Sequence, residues 1–266
     1  MIKSITMNRF LPFSRLVLGL ALCSGGAAEA ADLSLKDGEI LRLPATQREW
    51  IYEHLQLGAG SLLMIPASSG RLQVDELHMA TGSQLNIAPD AIDFRIDVRR
   101  AQLESGSRIL GQGARGEVGA VGGAGIDLTL RMETVSLDSL DIDLSGGQGG
   151  AGWNGLPGDS GRQAGCIDWR SSRAGGAGGD GHPGADGGRA GNLQLQIPAA
   201  VELEKIHVDL DGGPGGDGGQ GGSAGLSGAD KSCWLYRRKG SAPAAEGKPG
   251  PEGNPGPAGQ MAVKRL

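Results

Sequence analysis

The chain has 266 residues and a formal net charge of −5, with 50 glycines and an aromatic content of only 3%. This length allows one or two domains, but so few aromatic side chains argue against one thick globular core. The acidic balance also argues against a nucleic acid partner, because such partners require a broad basic surface.

Residues 1–30 have the features of a secretory signal. A basic start and a short apolar stretch precede an A-x-A cleavage motif: Lys3, Arg9 and Arg15, then Leu16–Cys23, then Ala28-Glu29-Ala30. A lipid anchor on Cys23 is less favoured, because Leu22 stands where a lipoprotein signal needs a small residue. We therefore predict export by a Sec-type signal to the periplasm, the cell surface or the extracellular space. No later apolar stretch is long enough to be a transmembrane segment.

Residues 31–110 carry a repeated turn signature. It occurs as Leu55–Ser61, Leu77–Ser83 and Ala101–Ser107, and its glycines stand 22 and then 24 residues apart. Alternating apolar and polar residues around it predict three short strands in each repeat. A period in the low twenties is typical of a parallel β-helix, in which stacked coils bury their inward residues. We expect almost no α-helix, with Gln47–His54 as the one candidate segment.

Residues 111–266 repeat the strand pattern with long insertions. Three alternating segments return about 66 residues later: Ile126–Met132, Val135–Leu137 and Leu140–Leu144 reappear as Leu193–Ile197, Val201–Leu203 and Ile206–Leu210. The longer period fits one coil plus an insertion of roughly 44 residues. We therefore predict plain β-helix coils over 31–110 and coils with inserted hairpins over 111–266.

The insertions consist of glycine triplets. Glycine occupies every third position in four runs, 146–161, 175–187, 213–228 and 247–259, and in a shorter run at 113–125. A three-residue period is that of the polyproline II helix, which makes no internal hydrogen bonds. An edge of glycines lets such helices approach closely enough to pair their backbone groups. The runs therefore predict polyproline II helices that pack side by side along their glycine edges.

Triplets such as Gly181-His182-Pro183 and Gly247-Lys248-Pro249 resemble those of collagen-like proteins. Because loops interrupt the short runs, folding back within one chain is favoured over a collagen trimer. The region therefore resembles the polyglycine II bundles of snow-flea antifreeze proteins and of phage tail-tip adhesins. The coils resemble those of bacterial β-helix surface proteins. Together these resemblances imply an all-β fold, a short parallel β-helix with inserted antiparallel helical hairpins of the polyglycine II or polyproline II type.

Two cysteines follow the predicted signal, Cys166 and Cys233, at equivalent positions 67 residues apart. Each lies between two glycine runs, so both are expected at hairpin tips, near 164–174 and 231–246. Because an exported protein folds in an oxidising compartment, we predict a disulfide between them.

The two tips also carry the candidate ligand-binding residues, which are aromatic or basic: Trp169, Arg170, Arg173, Trp234, Tyr236, Arg237 and Arg238. Aromatic rings stack on sugars and arginines bind phosphate or carboxylate, which favours an acidic glycan or lipopolysaccharide as partner. In the alternative interpretation the aromatic residues cover the disulfide and cap the bundle. The sequence leaves both interpretations open.

Two other patterns suggest different chemistry. The sequences Gly175–Asp180 and Gly212–Asp217 match the opening of a calcium-binding nonapeptide but lack its next apolar residue. An aligned set of polar residues resembles the groove of polysaccharide-active β-helix enzymes: Asp141 and Asp143 with His207 and Asp209, and Asp138 with Glu204. Triplet periodicity and strand alternation explain these patterns, so we expect no metal, no cofactor and no enzymatic activity.

The resulting prediction is an exported, non-enzymatic adhesion or matrix protein that presents a basic, aromatic tip. The alternative is a filament or coat subunit that self-associates through the ends of its β-helix. An ice-binding protein or a polysaccharide-active enzyme is less favoured.

Overall fold

The structure is a computed structural model that describes residues 31–66, 70–89, 92–167 and 170–266. The predicted signal lies outside these ranges, so export stays a prediction. The described residues form the predicted all-β fold, with the strands β1 Ala31–Leu35, β2 Ile40–Arg42, β3 Glu49–Leu57, β4 Leu62–Ile65, β5 Gly70–Met79, β6 Gln84–Ile87, β7 Asp93–Leu103, β8 Ser107–Leu110, β9 Asp127–Leu137, β10 Leu140–Asp143, β11 Leu193–Ile197, β12 Ile206–Asp209, β13 Lys231–Ser232, β14 Arg237–Arg238 and β15 Met261–Arg265. They include one short 3-10 helix, Leu203–Lys205, and no α-helix. No helix in the described ranges is long and apolar enough to cross a membrane.

The chain alternates between two parallel sheets. The first sheet has the strand order β1, β3, β5, β7, β9, β11, β15, and the second has the order β2, β4, β6, β8, β10, β12. In the second sheet Ile40 pairs with Leu62 and Leu62 with Gln84, an offset of 22 residues at each step. The repeat length of the sequence is therefore the offset between neighbouring strands.

Inward-facing residues of both sheets form one hydrophobic core. Leu55, Leu77 and Ala101 stand side by side in register, and all three are buried. Trp50 and Phe94 are buried as well, with ring centroids 6.2 Å apart. Removal of these apolar surfaces from water is the main favourable contribution to folding in this region.

The repeated turn signature has a conformational basis. Gly60, Gly82 and Gly106 have φ angles of +63°, +69° and +73°, a region that residues with a Cβ rarely adopt. Gly38, with φ +66°, forms a further turn of this kind, although glutamate instead of serine follows it. The glycine, and not the serine, is therefore the essential part of the signature.

Each repeat contains two strands in the structure, and not the three that the sequence predicted. The segments expected at Ile126–Met132 and Val135–Leu137 form one continuous strand, β9. In β5 of the same sheet, alternation breaks at Asp75-Glu76, where neither of two successive residues is buried. β5 is paired with β7 both before and after this break, so the strand turns a corner without ending.

Two further expectations from the sequence are wrong. Most of Gln47–His54, the candidate helix, belongs to β3, because pairing with β5 begins at Glu49. The segment Val201–Leu203 is not a strand, because the chain turns after Pro198 and the 3-10 helix begins at Leu203. In both cases tertiary contacts override a local pattern.

The glycine insertions are joined to one another by regular backbone hydrogen bonds. We name 145–161 and 211–228 the outgoing segments, and 175–191 and 245–259 the returning segments. Every third amide of the first outgoing segment, from Gly146 to Gly161, donates to the second outgoing segment at 2.7 to 2.9 Å. The acceptor moves forward in step with the donor, from Asp211 to Leu226, so the two outgoing segments are parallel.

Outgoing and returning segments are joined by antiparallel bonds. Gly213 donates to Gly188, and the series continues in opposite directions until Gly228 donates to Arg173. Gly222 shows how one residue serves two neighbours, because its amide donates to Gly179 and its carbonyl accepts from Gly247. These segments contain no α- or 3-10 helix, so their order depends on bonds between segments.

The two layers of segments continue the two sheets. The outgoing segments follow β10 and β12 of the second sheet, whereas the returning segments precede β11 and β15 of the first sheet. The loops that join outgoing to returning segments therefore lie at the end of the insertions that is remote from the sheets.

Close approach of the segments requires glycine. A Cβ built on Gly222 would lie 2.0 Å from the carbonyl oxygen of Leu156. No Cβ tolerates such a distance, so the segments would have to separate and their hydrogen bonds would lengthen.

We predict that Gly222→Ala lowers the free energy of unfolding by about 3 kcal/mol, because the added methyl group meets backbone on a neighbouring segment. The adjacent change Ser223→Ala is the control, since Ser223 is exposed and alanine keeps its carbonyl acceptor. Its effect should stay within about 0.5 kcal/mol. Denaturant unfolding of the oxidised protein measures both, and equal midpoints for the two variants would contradict the close packing.

Candidate functional site

The two loops at the remote end of the insertions are joined by a disulfide. Cys166 and Cys233 are bonded, with Cα atoms 5.8 Å apart. The pairing predicted from the sequence is therefore confirmed. We name the two loops, 162–173 and 230–240, the tip.

Side chains of one loop also bond to the backbone of the other. The Tyr236 hydroxyl donates to the Cys166 carbonyl at 2.6 Å, and Arg238 Nη1 donates to the Gly165 carbonyl at 3.0 Å. Ser172 Oγ donates to the Lys239 carbonyl at 3.0 Å. Two of the predicted ligand-binding residues, Tyr236 and Arg238, thus hold the tip together.

Each loop has its own closing contacts. In the second loop β13 and β14 pair as an antiparallel hairpin, and the Cys233 amide donates to the Tyr236 carbonyl at 2.8 Å. In the first loop the backbones of Arg162 and Arg173 bond to each other in both directions, at 3.1 and 2.8 Å. Backbone hydrogen bonds therefore close each loop of the tip, and the glycine segments carry both loops.

Three apolar residues of the tip are largely exposed to solvent. The exposed fraction is 94% for Trp234, 91% for Ile167 and 80% for Leu235, against 47% for Tyr236. Ile167 and Leu235 are not among the predicted site residues, because single aliphatic residues have no binding signature. Their positions next to Cys166 and two residues after Cys233 are the signal that could have identified them.

The structure places most of the predicted arginines on the outside of the tip. Arg170, Arg173 and Arg237 are exposed, and the Arg170 carbonyl accepts from the Gly165 amide at 3.0 Å. Trp169 lies outside the described residues.

The tip is basic on an acidic protein. Its two loops contain seven basic and two acidic residues, a net charge of +5, while the whole chain carries −5. Within the described part of the chain, Lys231, Arg237 and Lys239 form no ion pair. Their charge is therefore available to an external partner.

A groove of about 370 Å³ on the first sheet is a different polar feature, which the sequence did not indicate. Its charged side chains are paired: His54 Nε2 lies 3.5 Å from Glu76 Oε2, and Arg100 bonds to Glu76. His78 Nε2 lies 3.2 Å from Oε1 of Glu104, which is outside the groove lining. A hydrogen bond with Asp32 raises the pKa of His54, and hydrogen bonds from Thr81 and His78 lower the pKa of Glu104. Internal pairing leaves this groove less net charge for a ligand than the tip has.

Four of the aligned polar residues that resemble a polysaccharide-active groove lie in register on neighbouring strands of the second sheet. Asp141 pairs with His207 and Asp143 pairs with Asp209, as the alignment of the internal repeats predicted. On the first sheet, a ring nitrogen of His54 and one carboxylate oxygen each of Asp32 and Glu53 lie within 4.8 Å of one another. These three side chains come from the adjacent strands β1 and β3, and their spacing is compatible with a bound cation.

We predict that replacing both cysteines, Cys166→Ala with Cys233→Ala, lowers the free energy of unfolding by about 4 kcal/mol, because the disulfide closes a loop of 67 residues. The far-ultraviolet circular dichroism should stay unchanged, since the sheets and glycine segments do not contain the disulfide. Denaturant unfolding checks the prediction. The same midpoint in the wild type and the double variant would show that the bond adds nothing to stability.

Comparison of the chain with protein families, with curated proteins and with solved structures found no match. The function is therefore inferred from the contacts, exposure and charge of the described residues.

Proposed function

We propose that this protein is an exported, non-enzymatic adhesion or matrix protein that presents its tip to an acidic ligand on a surface. In this proposal a parallel β-helix forms the base, and a bundle of polyglycine II segments carries the tip away from the base.

The arrangement of the two sheets supports the β-helix. The chain adds a strand to each sheet in turn, and all strands within each sheet are parallel. Where the glycine insertion intervenes, Leu140 still pairs with Ile206, so the repeat continues beyond the insertion. Stacked coils of this kind bury a continuous core between neighbours.

The hydrogen bonds of the glycine segments support polyglycine II. Bonds recur at every third residue and join different segments, as a helix with three residues per turn and no internal bonds requires. At a rise of roughly 3.1 Å per residue, the outgoing segment 145–161 would hold the tip about 50 Å from the base.

The observation that carries the proposed binding role is the high exposure of Trp234. A capping residue would be covered by the bundle, as its neighbour Tyr236 partly is, but Trp234 is 94% exposed. Exposed aromatic and basic side chains on a cross-linked support suit recognition, because little conformational entropy is lost on binding. Tyr236 and Arg238 hold the two loops of the tip together, whereas Trp234 and Arg237 are available for a ligand.

An acidic glycan or lipopolysaccharide fits this tip. The indole of Trp234 offers a face for a sugar ring, and the guanidinium of Arg237 offers paired donors for phosphate or carboxylate. The disulfide is compatible with the predicted export, because oxidising compartments preserve such bonds.

We predict that the oxidised protein binds acidic glycans or lipopolysaccharide on an array and that the variant Trp234→Ser with Arg237→Gln binds about tenfold more weakly or less. The control variant Trp153→Ser with Arg115→Gln has the same residue changes away from the tip, at positions that are also exposed. It should bind like the wild type. Absence of binding by the wild type, or equal loss in both variants, would refute recognition through the tip.

A filament or coat subunit is the second candidate, and a separate observation favours it. β15 is the outermost described strand of its sheet, and Met261 and Val263 on it are exposed. In register these residues align with Leu193 and Leu195, which are buried. Apolar residues on such an edge suit pairing with a second copy.

For this second candidate we predict that the sedimentation coefficient rises with protein concentration and that Val263→Lys abolishes the rise. A charged side chain on the edge opposes strand pairing. A monomer at every concentration would rule out the assembly role and leave the adhesion role unaffected.

A further inference from the structure

We infer that the partner of the tip is an anionic lipid membrane, into which Ile167, Trp234 and Leu235 insert. The inference rests on the proposed binding role of the tip, because it names the ligand of the same site.

The apolar side chains are close together. Ile167 follows Cys166 and Trp234 follows Cys233, and the Cα atoms of these cysteines are 5.8 Å apart. Since successive Cα atoms are about 3.8 Å apart, the Cα atoms of Ile167 and Trp234 lie within about 13 Å. Three large apolar residues, each at least 80% exposed, thus occupy one end of the molecule. Clusters of this kind mark interaction sites.

The second loop holds two of these residues at the point of a turn. Trp234 and Leu235 are the central residues between Cys233 and Tyr236, whose amide and carbonyl are hydrogen-bonded at 2.8 Å. The pair therefore projects beyond the hairpin formed by β13 and β14. Tryptophan at a projecting point favours the boundary between lipid headgroups and acyl chains.

Basic residues surround the apolar point. Lys231 and Arg238 face each other across the hairpin, and Arg237 and Lys239 follow directly in the sequence. With a net charge of +5 the tip is attracted to anionic headgroups, while the acidic remainder of the chain is repelled and kept away. The charge distribution therefore orients the tip toward the membrane.

The aliphatic residues favour a membrane over a soluble glycan. A sugar ring stacks on an aromatic face, but Ile167 and Leu235 offer no such face and remain exposed in a glycan complex. An acyl layer accommodates all three side chains, and the basic residues then bind the phosphates above it.

The experiment is co-sedimentation of the oxidised protein with vesicles of phosphatidylcholine alone and of phosphatidylcholine and phosphatidylglycerol in equal parts. Three variants are compared: Trp234→Ser with Leu235→Ser removes the apolar point, Arg237→Gln with Lys239→Gln removes charge, and Trp153→Ser with Leu156→Ser is the control at other exposed apolar positions. A parallel measurement uses heparin as a soluble acidic glycan. Unchanged thermal unfolding confirms that each variant is folded.

We expect binding to the anionic vesicles and little binding to the neutral ones. The apolar variant should lose affinity more than tenfold, the charge variant about fivefold for each basic residue removed, and the control nothing. Quenching of tryptophan fluorescence by brominated acyl chains should occur in the wild type and fall in the apolar variant.

Each other outcome overturns the inference in a distinguishable way. Heparin binding without vesicle binding would refute the membrane and leave the proposed binding role intact. Vesicle binding that the apolar variant retains would refute insertion. Binding to neither probe would count against both the membrane and the proposed binding role.

Discussion

The backbone hydrogen bonds between glycine segments are the constraint on which the remote half of the structure depends. These segments contain no α- or 3-10 helix, so each amide that is buried between them needs a carbonyl on a neighbouring segment. Gly222 illustrates the consequence, since it donates to Gly179, accepts from Gly247 and has no room for a side chain. Composition, spacing and packing of the insertions all follow from this one requirement.

The same requirement explains why the insertions need the sheets. A single glycine segment has no hydrophobic face and would remain solvated. Because the outgoing segments continue one sheet and the returning segments continue the other, the β-strands hold neighbouring segments at a fixed offset. The disulfide between Cys166 and Cys233 fixes the opposite end. The tip is thereby held at a defined position by glycine segments that contain almost no hydrophobic core.

Much of the fold could be predicted from the sequence because each repeat length in the sequence corresponds to a regular spacing in the structure. The 22-residue offset of the strands, the glycine triplets and the cysteine pair were all visible as spacing. Corners such as Asp75-Glu76 could not be predicted, since two successive polar residues look like a strand end until their pairing is known. At the tip, spacing predicted the disulfide, but it could not separate the structural Tyr236 from the exposed Trp234. That difference depends on a hydrogen bond to a residue 70 positions away.

Amide hydrogen exchange measured by NMR distinguishes hydrogen-bonded glycine segments from solvated ones. We expect protection at every third residue, with slow exchange at Gly219, Gly222 and Gly225, because their amides donate to the returning segment. The amides of Ser223 and Ala224 donate no backbone bond among the described residues and should exchange quickly. A three-residue pattern of protection would establish the bundle. Uniformly fast exchange across these segments would contradict it.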